Sequence, residues 1–294
     1  MESAAHPQDD MPRRPTGGRL ADKVVFVLGA GSSGPGWGLG RAACALFARE
    51  GATVFAVDRQ LDAALETQRR IVDFGGRCDV AVADATRLAS LSKAVDDCLS
   101  RYGRIDVLHH NVGAGGLSDA VSTSVADWQA SLDLNLTSAF LAYKCVLPGM
   151  IERRKGAIVN VGSMAAVRWP GISTLAYSVA KAGLLQLSKS VALQYAADGI
   201  RSNYLVLGLV DTPEIRRRIE LNFGAERFDE VMDARASVNP MRRPASVWDV
   251  ANAAVYLASD EASYITGVEF PVDGGITALS VESYLKKVAP PAAP

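Results

Sequence analysis

The chain has 294 residues, 49% of them hydrophobic, with 31 lysines and arginines against 32 aspartates and glutamates. That balance leaves no field to hold nucleic acid or an anionic membrane surface, so a small and roughly neutral ligand suits it better. The length and apolar content allow one substantial buried core.

Residues 1–19 hold acids and prolines but no apolar segment of the kind that opens a secretory signal, and they read as a mobile tail. A single domain is expected over residues 20–280, followed by a proline-rich tail over 281–294. The first predicted strand is "VVFVL" at 24. It runs into "LGAGSSGPGWGLGRA", and the glycines, serines and proline in the second half of the uncharged run from Val24 to Gly40 exclude a membrane span. Between a strand and a helix, such a turn lets backbone N–H groups and the helix N-terminus face a pyrophosphate.

Two registers compete in this turn. Gly34, Gly38 and Gly40 are spaced as GxxxGxG, but the strand ends at Leu28, which makes Gly29 the natural first turn residue. We favour the second register, with Gly29 starting the turn, Gly38, Leu39 and Gly40 opening the helix, and about five extra residues bulging between them. Pro35 has no N–H to offer and stiffens that bulge. Ser32, Ser33 or Trp37 covers a cofactor, or else the bulge faces solvent with Trp37 packed on the protein.

The helix "GRAACALFAREG" places Ala42, Ala45, Leu46 and Arg49 at helical spacing and stops at Gly51. The second strand, "TVFAV" at 53, ends in Asp58, eighteen residues beyond Gly40. A carboxylate there can accept from the ribose hydroxyls of NAD and would repel the 2′-phosphate of NADP, while Arg59 beside it could pair with that phosphate. "DVAVA" at 79 leads to Asp84 and Ala85, and "IDVLHH" at 105 leads to Asn111, Val112 and Gly113. His109 and His110 are neighbours in a strand, point to opposite faces and read as packing residues rather than metal ligands.

"AIVNV" at 157 is followed by Ser163, and the helix beginning at Leu175 carries Tyr177 and Lys181 one turn apart on one face. A phenol is neutral until about pH 10. An ammonium nearby, with the positive ring of an oxidised nicotinamide, would lower that value and let Tyr177 exchange a proton with an alcohol. Ser163 would orient the reacting oxygen. The long helix has two apolar faces, one of them suited to a neighbouring subunit. "SNYLVL" at 202 and "VEFPV" at 268 complete seven strands, which imply a Rossmann-type α/β fold with a doubly wound parallel sheet and helices on both faces.

The substrate is expected between Arg168, Trp169, Pro170 and Ile172 on the loop after Ser163 and Ile215, Phe223 and Met232 in the insertion between Gly208 and Pro240, which reads as a lid. Arg216, Arg217 and Arg218 could meet an anionic substrate, although a solvated helix face is the commoner meaning of such a run. Cys44, Cys78, Cys98 and Cys145 form no CxxC pair and no ligand cluster. They are expected to be reduced core thiols of a cytoplasmic protein, and no metal site is expected.

"YSVAK", the glycine turn and "NVG" together resemble the short-chain dehydrogenase/reductase family from about Lys23 to Gly275. The resemblance implies Tyr177 as acid/base, Lys181 on the nicotinamide ribose, Ser163 on the substrate and Asn135 in a water-linked proton relay. On composition alone Asn135 is a mid-helix oddity that marks a kink. The resemblance also implies that Asp84 and Ala85 meet the adenine, that Val210 and Thr212 meet the carboxamide, and that the chain forms a homotetramer or homodimer. Three departures stand out: the long glycine turn, an extra residue between Ser163 and Tyr177, and Leu207-Gly208 in place of Pro-Gly, which would turn Leu207 towards the nicotinamide. The expected activity is NAD-dependent interconversion of a secondary alcohol and a ketone. The alternatives are an NADPH-dependent 3-oxoacyl reductase and a dinucleotide-sensing protein without turnover.

Overall fold

The computed structural model describes residues 18–279, so most of the expected amino-terminal tail and all of the carboxy-terminal tail lie outside the described residues. Seven strands form one sheet in the order β3-β2-β1-β4-β5-β6-β7, and every neighbouring pair is parallel. They are β1 (Val24–Leu28), β2 (Thr53–Asp58), β3 (Arg77–Val82), β4 (Val107–His110), β5 (Gly156–Val161), β6 (Ile200–Leu207) and β7 (Glu269–Val272). β1, β4 and β5 are buried along their whole length, which is why their sequences run apolar without alternation.

Helices cover both faces. α1 (Leu39–Arg49), α2 (Leu61–Asp73) and α9 (Val247–Ala258) pack Phe47, Ile71 and Val255 against one face, together with Val25, Val54 and Leu205 of the sheet. α3 (Leu88–Tyr102), α5 (Ser138–Arg153) and α6 (Leu175–Tyr195) cover the other, where Leu91, Met150 and Val191 meet Phe26, Leu108 and Ile158. α1 stops where expected, with Gly51 at φ +92°. α4 (Val125–Leu132) continues into α5 through a π turn over Asp133–Thr137. The continuous helix Val125–Arg153 is long and apolar enough to cross a membrane. Here, however, Ala142, Tyr143, Val146, Leu147 and Met150 are packed into the core.

The expected lid is α7 (Pro213–Phe223) and α8 (Phe228–Ser237), at the carboxyl end of β6. The switch in strand order between β1 and β4 opens a crevice at the carboxyl ends of the strands, the place where open α/β sheets bind ligands. All four cysteines are free thiols, three of them buried. Burial pushes the Cys78 and Cys98 thiols up to about 12.

Candidate active site

The glycine turn adopts the register that begins at Gly29. Gly29 has φ +77°, and its N–H donates to the Val57 carbonyl at 2.9 Å. Gly38 is the N-cap of α1, and a Cβ on Gly40 would stand 1.8 Å from the Gly29 carbonyl oxygen, so strand and helix can close only on glycine. Gly34, central to the rival register, sits on the bulge, where a Cβ would meet only Pro213 at 3.3 Å. Arg41 ties the bulge down, donating from Nη1 to the Gly36 carbonyl at 2.6 Å and from Nε to Thr67 at 3.2 Å. Trp37 packs 5.0 Å from Trp248 with the Arg70 guanidinium 4.8 Å over its ring. Ser33, with Arg218 and Arg217, helps to hold the Glu214 carboxyl of α7 below its usual range.

A dinucleotide fits these residues on two observations. The Ser32 hydroxyl and the Asn111 side-chain oxygen are buried beside the turn without a hydrogen-bond partner. A Cβ on Gly38 would fall 2.9 Å from that Ser32 hydroxyl, so glycine keeps open the space in front of the helix N-terminus. Asn111 spends its amide on the Gly29 carbonyl at 2.8 Å. Asp58 accepts from Gly31 N–H at 2.9 Å and Gln60 N–H at 3.0 Å, which holds the turn and leaves each oxygen further capacity for a ribose hydroxyl. Arg59 beside it is exposed.

Asp84 faces its own turn, accepting from the Thr86 N–H and hydroxyl, and these bonds hold its carboxyl below the usual range. Ala85 next to it is buried. Val210 bridges to Ala245, and Thr212 caps α7 by accepting from Ile215 N–H at 3.2 Å. Leu207 departs from expectation. It is buried with Val210, Trp248 and Ala251 in the core shared with α9, because β6 continues its pleat to that residue, and it does not face the crevice.

Tyr177, Ser163, Lys181 and Asn135 come together at the carboxyl ends of β4 and β5. Tyr204 ties Ser163 to the Lys181 backbone, and the Ser163 hydroxyl helps to lower the Tyr177 phenol, so the extra residue between them is absorbed in the loop over residues 164–174. Ser163 Oγ also accepts from Ala165 N–H at 3.1 Å. Lys181 Nζ donates to the Val161 carbonyl at 2.9 Å and lies 5.8 Å from the centre of the Tyr177 ring. Burial brings the Lys181 amine down to about 8. Burial likewise raises the Tyr177 phenol, opposed by the Ser163 hydroxyl and by the charge of Arg218.

Asn135 is fully buried in the π turn, and its amide clamps the backbone of the loop after β4. Its oxygen accepts from Ala114 N–H at 3.1 Å, and its nitrogen donates to the Ala114 carbonyl at 3.1 Å and to the Ser131 carbonyl at 3.0 Å. The extra residue in the helical turn is what aims this side chain inward. Gly113 fits between Asn135 and Lys181, where a Cβ would be 2.8 Å from both polar atoms.

Sequence reading missed Tyr204. Its buried hydroxyl accepts from Ser163 N–H at 3.0 Å and donates to the Lys181 carbonyl at 3.2 Å, joining the two elements that carry the site. A Cβ on Gly162 would sit 2.0 Å from the Tyr204 ring, and that crowding is the trace it leaves in the sequence. The histidines behind the site point to opposite faces, His109 edge-on to Phe47 of α1 and His110 to Ser138 of α5 at 3.0 Å. Burial lowers both to about 3, so they are neutral.

Among the expected substrate-lining residues, Trp169 and Ile172 are well exposed at the mouth, Phe223 is partly exposed, and Ile215 and Met232 are half-buried. Arg168 turns away and donates to the Ile276 carbonyl. Between the bulge and α7 lies a cavity of about 390 Å³ lined by Gly34, Trp37, Thr212 and Arg217. A larger one, about 500 Å³, opens at the amino-terminal edge of the sheet between Lys23, Lys155 and Arg201, remote from these groups.

Comparison with known proteins was made on this basis. A family model described as enoyl-(acyl carrier protein) reductase matches residues 34–277. The 2-(S)-hydroxypropyl-CoM dehydrogenase 3 of Xanthobacter autotrophicus is 34% identical over 89% of this chain and 99% of its own. A crystallised chain from Burkholderia xenovorans, described as a short-chain dehydrogenase/reductase, is 42% identical with a TM-score of 0.82, covering 90% of this chain and 99% of its own. Levodione reductase has the same TM-score at 29% identity, covering 89% of this chain and 100% of its own.

Proposed function

This chain belongs to the short-chain dehydrogenase/reductase family, and on that premise we propose how it works as an oxidoreductase that interconverts a secondary alcohol and a ketone. The observation that carries the reading is the gathering of Asn135, Lys181 and Tyr177 around Gly113 and Gly115, with Ser163 tied through Tyr204 to the Lys181 backbone, in a crevice that also fits a dinucleotide.

In our reading Asp58 holds the adenosine ribose, and Asp84 and Ala85 flank the adenine. Gly29, Ser32, Gly38 and Leu39 face the pyrophosphate, with Ser33 one step further out on the bulge. Asn111 and Gly113 support the nicotinamide half, Lys181 and Tyr177 its ribose, and Val210 and Thr212 its carboxamide. Bound there, the nicotinamide gives or takes the hydride and, when oxidised, contributes a positive charge. Ser163 donates a hydrogen bond to the substrate oxygen and orients it towards Tyr177. Tyr177 gives its proton to that oxygen in reduction and takes it back in oxidation. Lys181, two of whose three protons remain after the Val161 bond, holds the ribose and favours the phenolate. Asn135 fixes the loop at Ala114 and, with it, the floor of the site.

Asp58 makes NAD the favoured cofactor. Steady-state kinetics with both dinucleotides should show NAD preferred more than about tenfold, and Asp58→Ala should narrow that gap. Preference for NADPH by tenfold or more, about 1.4 kcal/mol, would overturn the assignment and favour a 3-oxoacyl reductase, with Arg59 on the phosphate. We further propose a single domain over residues 20–280 and a cytoplasmic homotetramer or homodimer. Phe140 of α5, Val179 and Leu193 of α6 and the open edge of β7 supply apolar and backbone surface for association.

A further inference from the structure

We propose that the substrate carries a carboxylate close to its carbinol carbon and that Arg218, on the helix over the site, is the residue that reads it. The inference rests on the proposed carbinol chemistry and adds a substrate class to it. Arg218 lies in α7, and its side chain is about one-third exposed. Its Nη1 donates to the Gly115 carbonyl at 2.6 Å, across 103 residues of sequence. A Cβ on Gly115 would stand 3.7 Å from Tyr177 Cγ and 3.8 Å from Arg218 Nη1, so the guanidinium and the phenol ring flank the same glycine. The sequence run Arg216, Arg217 and Arg218 is therefore not one solvated face. Arg216 turns to Asp211 at 2.6 Å, Arg217 is exposed, and Arg218 turns to the site.

The charge balance leaves Arg218 able to accept an anion. Its Nε donates to Glu214 at 2.6 Å, but the same carboxylate also serves Arg217 at 3.2 Å. One carboxylate thus stands against two guanidiniums. The loop after β4, residues 112–118, carries no charged residue, and the loop over residues 164–174 carries only Arg168. On the Tyr177 side the Arg218 partner is a neutral carbonyl. Exchanging that carbonyl for a carboxylate replaces a charge–neutral bond with a charge-assisted pair for which the guanidinium fork is shaped. Glu214, bonded to Arg218 Nε, sets the angle at which Arg218 enters.

The test compares kcat/KM for aliphatic and aryl 2- and 3-hydroxy acids, their methyl esters and plain secondary alcohols, in the full-length enzyme and in Arg218→Gln and Arg218→Lys. The proposal predicts that acids exceed their esters by about tenfold or more, that Arg218→Gln brings the ratio near one, and that Arg218→Lys restores part of it. Equal rates for acid and ester in the wild type, or an Arg218→Gln loss that falls equally on both, would overturn it, since a residue that only latches the lid moves both together. A parallel calorimetric titration uses the matching saturated carboxylates, which have no carbinol to oxidise, in the presence of NADH. If no compound is turned over, the proposed chemistry fails, and this titration decides the inference alone. Binding to wild type and to Tyr177→Phe but not to Arg218→Gln upholds it, and absence of binding to the wild type overturns it.

Discussion

Tyr177→Phe is expected to lower kcat by about 10²–10⁴-fold while NADH still binds, since a positioned acid/base group contributes about that much. The substitution removes one oxygen and keeps the ring. That oxygen is the group whose pKa the Ser163 hydroxyl helps to lower, and the ring lies 5.8 Å from Lys181 Nζ. Burial alone would make this phenol a poor base. Its use near neutrality depends on the hydroxyl and cations around it: Ser163, Arg218 and, by proposal, the cofactor and the remaining Lys181 protons. Equal inactivity of wild type and Tyr177→Phe across a broad alcohol panel, with NADH bound by both, would instead favour a dinucleotide-sensing protein.

Gly40→Ala should be the most damaging of the small changes in the turn. Its methyl group would lie 1.8 Å from the Gly29 carbonyl oxygen and 2.8 Å from the Asn111 amide, and neither neighbour can give way without parting β1 from α1. Overpacking of this kind costs about 1–3 kcal/mol, and here it also breaks the Asn111 bond to Gly29. We expect loss of measurable dinucleotide binding in a titration and a lowered midpoint of urea unfolding. Gly34→Ala is the internal control, because its methyl would meet only the Pro213 side chain. It should cost less than about 1 kcal/mol and leave binding in place. The opposite ranking would restore the register centred on Gly34.

The strands were legible because a sheet covered on both faces needs continuous apolar runs, and "VVFVL" and "AIVNV" have few other uses. Strand edges were less so. β4 was expected from Ile105 and begins at Val107, while β3 begins at Arg77, ahead of its apolar run. Tyr177 and Lys181 could be read because their relation is local, one turn of a helix. Tyr204 could not, because a tyrosine in a strand looks like packing until its hydroxyl is seen between Ser163 and Lys181, which are 41 and 23 residues away. Arg218 shows the same limit, since composition gives three like charges in a row and only the fold separates their three directions. Leu207 shows the converse. A departure from a family pattern suggested a new role, whereas the strand simply continued and buried the side chain.

The most direct measurement of the central claim follows deuterium placed on the carbinol carbon of a substrate alcohol. With NAD and wild-type enzyme, the label should appear on the reduced nicotinamide and slow the hydride step, while Tyr177→Phe lowers the rate without changing where the label goes. Deuterium found in the solvent rather than on the nicotinamide would contradict the account, because proton abstraction at carbon would then replace hydride transfer beside Tyr177.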